Sequence, residues 1–517
     1  MEKSRNISDI GGSPVINIAL DTIGLEKQAL VFVNSKRSAE KTAEEISKKL
    51  KNNNNALKAL ANDALNALSR PTKQCERLAF CLEKGIAFHH AGLVSKQREL
   101  VEENFRNGSI KIICATPTLA FGLDLPAFRS IIKDLRRYTQ RGLAWIPVLE
   151  YLQQAGRAGR PKFDKFGEAI VIAATEGEKD KIYEKYILGQ PEDIYSKLAV
   201  EPVLRTYLLS LIAANFTRTK KQIMDFFEKT FWAFQFKDMG KLEAIISKML
   251  DLLEEWEFIT RKKEEFKDAD KVENEDVKPT IMGKRVAELY IDPLTAFFMI
   301  KCLRNASDKK INEFSFLHMV CSTLEMRPLL RARIKENEKM QEELVKHESS
   351  LLQEEPSMYE PEYEDFLNSI KTALMLNEWI DEKDEEFLLE EYNIRPGELR
   401  VKLENSDWLL YASEEICRIL HYQSLIKEIV KLRLRIRYGA KEELLPLLRL
   451  EQIGRVRARK LFKNKIKDIK DVKNADLGKL VQILGEKVAL NVKKQVGEEI
   501  KEVPEGKRKG QISLADY

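Results

Sequence analysis

The feature that most limits the fold is a change of rhythm near residue 180. Between residues 25 and 180, short apolar runs alternate with longer amphipathic stretches. ALVFV (29–33) precedes NSKRSAEKTAEEISKKL, and GIAFHHAGL (85–93) precedes SKQRELVEENFRNG. IKIICAT (110–116), SIIK (130–133) and EAIVIAA (168–174) follow. Continuous apolar, β-branched runs mark strands buried on both faces, and helices between such strands imply a parallel sheet. Ser and Asn ahead of the first helical stretch, and Gly108 after the second, are suitable cap residues.

Past residue 180 helical periodicity takes over. VLRTYLLSLIAANFTRTKKQIMDFFEKTF (203–231) reads as helix, turn, helix. KLEAIISKMLDLLEEWEFITRK (241–262) runs into a strand-like EFITR, for which PTIMGKRVAEL is the expected return. Three helices and a hairpin outline a winged helix. Amphipathic helices then continue to about residue 430, with the acidic run 336–366 expected as solvated face and loop. The predicted fold class is multidomain, α/β followed by all-α, because 517 residues exceed one core.

Charge is unevenly placed. The net charge is +5, yet residues 431–517 carry 23 Lys and Arg against 12 Asp and Glu. A basic end on a mildly acidic body suggests a polyanion-binding module, with a solvated basic surface as the alternative. LLPLLRLEQIGRVRARKLFKNKIKDIKDV (444–472) reads as two short helices around Ile453-Gly454, and the last fourteen residues as disordered. No fixed-period repeat is visible. No apolar run approaches the roughly 18–20 residues that span a bilayer. MEKSRNISDIGGSPV lacks a signal-peptide core, so the expected location is the cytoplasm, with no membrane partner. The six cysteines form no C-x-x-C pair and the five histidines complete no zinc-like spacing. Buried free thiols and no metal site are expected.

Three loops carry the chemistry. QQAGRAGRP (153–161) places Arg157 and Arg160 three residues apart, and is expected to open a helix. A guanidinium is permanently charged and its planar fork matches a phosphate. Gly156 and Gly159 allow close backbone approach. FHHAGL (88–93) ends a strand, and ATPTLAFGLDLPA (115–127) follows another with a Thr-Pro-Thr turn, Gly122 and Asp124. Each alone suits an ordinary strand-to-helix loop. The three together, in this order on an α/β frame, form one pattern.

On these residues the chain resembles superfamily-two helicases of the Ski-like branch. Within that branch it is most similar to the archaeal DNA-repair helicase family related to helicase Q and the polymerase theta helicase. ALVFVNSKRSAE resembles motif IV, TPTLAFGLDLPA motif V and YLQQAGRAGRP motif VI. LSLIAANFTRTKKQIMDFFEKTF resembles the family's winged helix, IRPGELRVKLENSDWLLYA its ratchet domain and GRVRARKLF its C-terminal helix-loop-helix domain. The resemblance implies a linker remnant (1–24), a second RecA-like domain (25–185), a winged helix (186–285), a helical ratchet domain (286–430) and a helix-loop-helix DNA-binding domain (431–503). A disordered tail (504–517) completes the division.

Residue roles follow from the same resemblance. Arg157 and Arg160 are an arginine-finger pair for the γ-phosphate of ATP, Gln153 orients water or phosphate, and Gly122, Asp124 and Gly156 complete the nucleotide side. His89, Thr116 and Thr118 face DNA. Residues 134–147 form a strand-separating hairpin in which Arg136, Arg137, Tyr138 and Trp145 hold backbone and stack on bases. Arg400 and Trp408, on a helix starting at Pro396-Gly397, line one groove for successive nucleotides. Arg455, Arg457, Arg459 and Lys460 meet phosphates, with Gln452 where a hairpin glycine normally stands. Gln511, Leu514 and Tyr517 resemble the peptide that docks on sliding clamps. The alternatives that stay open are loop packing for His89 and His90, a core role for Trp408, and a plain surface hairpin at 134–147.

A first RecA-like domain of this family carries the G-x-x-x-x-G-K-[ST] loop and an acidic Mg²⁺-binding motif. Here the Gly-Lys pairs at 240–241, 283–284, 478–479 and 506–507 are never followed by Ser or Thr. The expectation is the C-terminal part of a 3′-to-5′ helicase acting on single-stranded and forked DNA. Its ATP and Mg²⁺ would be held mainly by a separate or upstream first RecA-like domain. The alternative is an ATP-independent DNA-binding protein.

Overall fold

The computed structural model describes residues 12–497 together with Ile7 and Asp9, except 52–53, 69, 140–141, 161–163, 263–275 and 307–308. It separates into two units, Met1–Ile194 with Asp384–Val401, and Tyr195–Lys383 with Lys402–Tyr517. The segment 384–401, grouped with the helical region from its sequence, thus belongs to the α/β unit.

The first unit contains β1 (Ala29–Phe32), β2 (Ile86–His89), β3 (Ile112–Ala115), β4 (Arg129–Ile132), the pair β5 (Arg136–Thr139) and β6 (Gly142–Trp145), and β7 (Glu168–Val171). Five of them form one parallel sheet in the order β2-β3-β1-β4-β7. Val31 stands level with Cys114 on one side and Ile131 on the other. Strands β1 to β4 are buried at every position, which is why their sequences are unbroken apolar runs. Edge strand β7 is only partly covered.

Three helices, Lys36–Lys48, Asn55–Leu65 and Lys73–Leu82, connect β1 to β2, of which only the first is evident from sequence. The expected linker remnant contains a helix, Pro14–Gly24. Val15, Ile18, Ala19 and Thr22 recur at helical spacing and are buried, so this helix joins the sheet's core. Arg129 fixes it: the guanidinium, 1% exposed, pairs with Asp21 and Glu168, each at 2.6 Å.

Among its described residues the second unit is helical apart from the antiparallel pair β8 (Ile259–Lys262) and β9 (Asp276–Pro279). The return strand is therefore DVKP, not PTIMGKRVAEL. Thr280 ends it by capping the helix Ile281–Glu288, accepting from the Gly283 N–H at 2.9 Å. The acidic run is not all loop: it includes the helix Asn337–His347, with Met340 and Leu344 buried. Beyond Tyr438 a separate small core gathers Leu444, Leu447, Ala458, Leu461, Leu480 and Val492. The two short helices expected around Ile453-Gly454 are two 3-10 turns, Glu442–Leu444 and Leu447–Arg449, followed by one α-helix, Arg455–Lys463. All six cysteines are buried and unpaired. Among the described residues no helix is long and apolar enough to cross a membrane.

Candidate functional site

The arginine loop closes a helix rather than opening one. The helix Val148–Ala155 presents Val148, Tyr151 and Gln154 inward and ends at Gly156. Gln153 sits on its exposed side. The following residues run beside the Asp124 segment: Ala127 N–H donates to Arg157 O at 2.9 Å, and Gly159 N–H donates to Ala127 O at 2.6 Å. Gly159 adopts φ +99°, a conformation that favours glycine. Two loops far apart in sequence are thereby joined backbone to backbone.

Each arginine is aimed by a different partner. Arg157 donates from Nε and Nη2 to the Ala120 carbonyl, a neutral acceptor. Arg160 donates to Gln28 Oε1 and to Asp164 Oδ2, both at 2.7 Å. The Arg160 hydrogen bond, with Lys27 adding to it, holds the Asp164 carboxyl below the usual carboxylate range. Both guanidinium groups border a cleft of about 730 Å³, along with Asp124, Gly156, Arg106 and Asn107. That volume is in the range of small-molecule sites. Gln28, Arg106 and Asn107 are missed by sequence reasoning. Gln28 donates to the carbonyls of Phe105 (2.6 Å) and Ile110 (2.8 Å), which brings the end of the helix Ser95–Arg106 to the cleft. No local pattern signals this, because the contacts join residues 77 and 82 apart. Gln153 and Gly122 do not line the cleft, and Gly122 turns its loop at φ +78° with open space around it.

The Thr-Pro-Thr turn leaves β3 as a 3-10 helix, Pro117–Ala120, with the Thr116 and Thr118 hydroxyls 3.0 Å apart. Thr118 is exposed and Thr116 almost covered. His89 departs from its expected DNA-facing position. It is buried, with Nε2 2.9 Å from Glu102, and burial lowers its pKa. His90 is also buried, 3.2 Å from Glu40, with its pKa lowered by burial. Both rings pack the loop.

The remaining DNA candidates are dispersed. In the β5–β6 pair the Arg136 guanidinium covers the Trp145 ring at 4.1 Å, and Arg137 pairs with Glu150 at 2.8 Å. The Tyr138 side chain lies outside the described residues. Arg400 is exposed on the helix Pro396–Ile419. Trp408, on the same helix, is half-buried with its indole N–H donating to Leu289 O at 3.0 Å.

The basic cluster divides in two. The Arg455 guanidinium lies 4.3 Å from the Trp379 ring centre, and Arg459 pairs with Glu382 and Glu443. Arg457 and Lys460 remain exposed, although Arg457 Nη1 donates to Gln452 O at 2.8 Å. Gln452 adopts φ +65°, a conformation that favours glycine. Gln511, Leu514 and Tyr517 lie outside the described residues.

Comparison with known proteins shows what the chain is similar to. Residues 67–162 match the helicase conserved C-terminal domain, and residues 314–439 match domain 4 of archaeal helicases. Among similar proteins, the ATP-dependent DNA helicase Hel308 of Pyrococcus horikoshii is 39% identical over 503 residues, covering 96% of this chain and 67% of the relative. The Pyrococcus abyssi protein of the same name is 39% identical over 520 residues, covering 97% and 69%. That of Methanococcus vannielii is 37% identical over 530 residues, covering 95% and 69%. With helicase-domain matches in both units and relatives aligned along nearly its whole length, the chain belongs to the archaeal Hel308 family of superfamily-two helicases.

Proposed function

We propose that this chain is the C-terminal part of an ATP-dependent 3′-to-5′ DNA helicase of the Ski-like branch that unwinds forked or branched DNA in replication-fork repair. The observation that carries the reading is the cleft in which Arg157 and Arg160 are held in fixed directions by Ala120, Gln28 and Asp164. The residues fit the terminal phosphate of a nucleotide: two fixed cations border a space of suitable size. ATP supplies the phosphoryl bond whose hydrolysis drives the motor. The role of the two arginines is to meet the negative charge that spreads over the transferring group. Gln153 would orient water. Among the described residues no cluster of His, Cys, Asp or Glu suits a metal ion, so Mg²⁺ is assigned to a first RecA-like domain, whether separate or upstream.

DNA contacts are proposed at Thr118, Arg400, Trp408, Arg457 and Lys460, with the β5–β6 pair as the strand-separating hairpin. The helices and hairpin of 186–285 serve as winged helix, 286–430 as ratchet, and 431–503 as helix-loop-helix domain. The C-terminal peptide is a proposed clamp ligand. The second reading is an ATP-independent protein that binds single-stranded or branched DNA.

ATP hydrolysis on forked DNA, measured for the chain alone and with a first motor domain added, separates the two. The expected result is no turnover alone, DNA-dependent turnover together, and a loss of about 10³-fold or more for Arg160→Ala. Turnover by the chain alone would sink the shared-site reading, and absence of rescue favours the binding-only protein.

A further inference from the structure

The segment Asp384–Val401 is anchored on the α/β unit at the FHHAGL loop. Gly397 N–H donates to Gly92 O at 3.0 Å. A Cβ on Gly397 would lie 2.3 Å from Leu93 O and 2.5 Å from Ala91 O, and one on Gly92 would lie 2.3 Å from Arg395 Cδ. Backbones approach this closely only where side chains are absent. Beneath the contact, Glu40, 3% exposed, accepts from Arg395 Nε at 3.0 Å and lies 3.2 Å from His90 Nε2. Arg77 pairs with the same carboxylate. The other nitrogen of His90 accepts the Gly92 N–H at 3.1 Å, so one ring joins carboxylate and loop. Burial alone would raise the Glu40 carboxyl, but its His90 and Arg395 contacts hold it below the usual carboxylate range. Lys36 with Glu398, Arg70 with Asp384 and Lys73 with Glu390 ring the contact. The helix that starts here carries Arg400 in its second turn.

We infer that the FHHAGL loop is a socket for the start of this helix, with Glu40, His90, Arg395, Gly92 and Gly397 as positioning residues that make Arg400 move with the arginine-bearing α/β unit. The inference rests on the proposed reading, in which Arg400 grips single-stranded DNA and the unit shifts with nucleotide state. The socket then converts that shift into displacement of the strand. This also gives His90 a role: it shapes the seat rather than touching DNA.

The test uses Glu40→Gln and Arg395→Met, with Arg395→Lys as the conservative variant. In the 517-residue chain, hydrogen exchange reads the Gly397 amide. In the helicase reconstituted with its first motor domain, the readout is base pairs opened per ATP hydrolysed. Amide protection is expected to fall about tenfold or more. DNA-stimulated ATP turnover holds, while base pairs opened per ATP fall about fivefold. Arg395→Lys restores much of both. Unchanged protection, or turnover and opening falling together, overturns the inference. Wild-type turnover with unaltered coupling in the variants overturns the inference alone. Absence of wild-type turnover overturns the proposed function and the inference with it.

Discussion

Gly167 sets the arginine loop without touching an arginine. A Cβ placed there would lie 2.2 Å from the Gly159 nitrogen and 2.5 Å from its Cα, against backbone that has no rotamer to yield. Gly167→Ala is expected to cost about 1–3 kcal/mol by overpacking. It would also move Gly159 off its bond to Ala127 and loosen Arg160 from Gln28. A urea midpoint equal to wild type would sink this. His318 makes a pH prediction. Its ring is fully buried, 3.0 Å from Ser369 Oγ and edge-on to Phe366, and burial pushes its pKa down to about 3. A depressed pKa means that the folded state resists the proton more than the unfolded chain does. The stabilisation is complete above the ordinary value near 6.5 and is lost as pH falls toward 3. Between pH 7 and pH 5 the loss from this group is about 2 kcal/mol. His318→Asn should flatten the pH dependence of the urea midpoint by that amount, whatever its effect at pH 7. An unaltered slope would assign the effect elsewhere.

At the scale of one element, the helix Arg455–Lys463 shows that four basic residues are not four phosphate contacts. Arg459 is held by Glu382 and Glu443, whose hydrogen bonds raise its pKa, and Arg455 stacks on Trp379. Charges already paired release few counterions on binding. Arg457→Ala and Lys460→Ala should each reduce the slope of log K against log salt by about one. Arg459→Ala should leave that slope nearly unchanged. Titration of a fluorescent single strand at several salt concentrations decides this, and equal effects from all three substitutions would refute the division.

What was legible in the elements follows from how local their signals are. Strands β1 to β4 were visible because burial on both faces writes an unbroken apolar run. The arginine loop was visible because its glycines serve a tight local turn. The direction of that loop was not, since Pro147 and Gly156 bound a helix whose polar QQ end resembles a start. Nor was the return strand β9 visible, as DVKP has only Val277 buried. The fate of His89 was invisible because Glu102 meets it from the next helix.

Over the whole molecule, the least legible fact is the joining of Asp384–Val401 to the α/β unit. Its ion pairs link residues 313 to 362 apart, a separation at which sequence rhythm carries no information. The consequence is that chain continuity does not delimit the folding unit. A fragment ending at Ile194 keeps every strand of the parallel sheet but strips Glu40 of Arg395 and uncovers the backbone at Ala91–Leu93. Stranding a buried charge costs about 3–5 kcal/mol, and the loss here is smaller because Glu40 keeps Arg77. Leu388, Ile394 and Leu399 of the segment are buried in the full chain. Residues 1–194 alone should therefore melt well below the same fragment with 384–401 appended through a flexible linker. Arg395→Met in the appended segment should undo part of the gain. The linker adds no contact of its own, so a difference in melting temperature reports the segment. Identical melting of the two fragments would show that the α/β unit is complete without it.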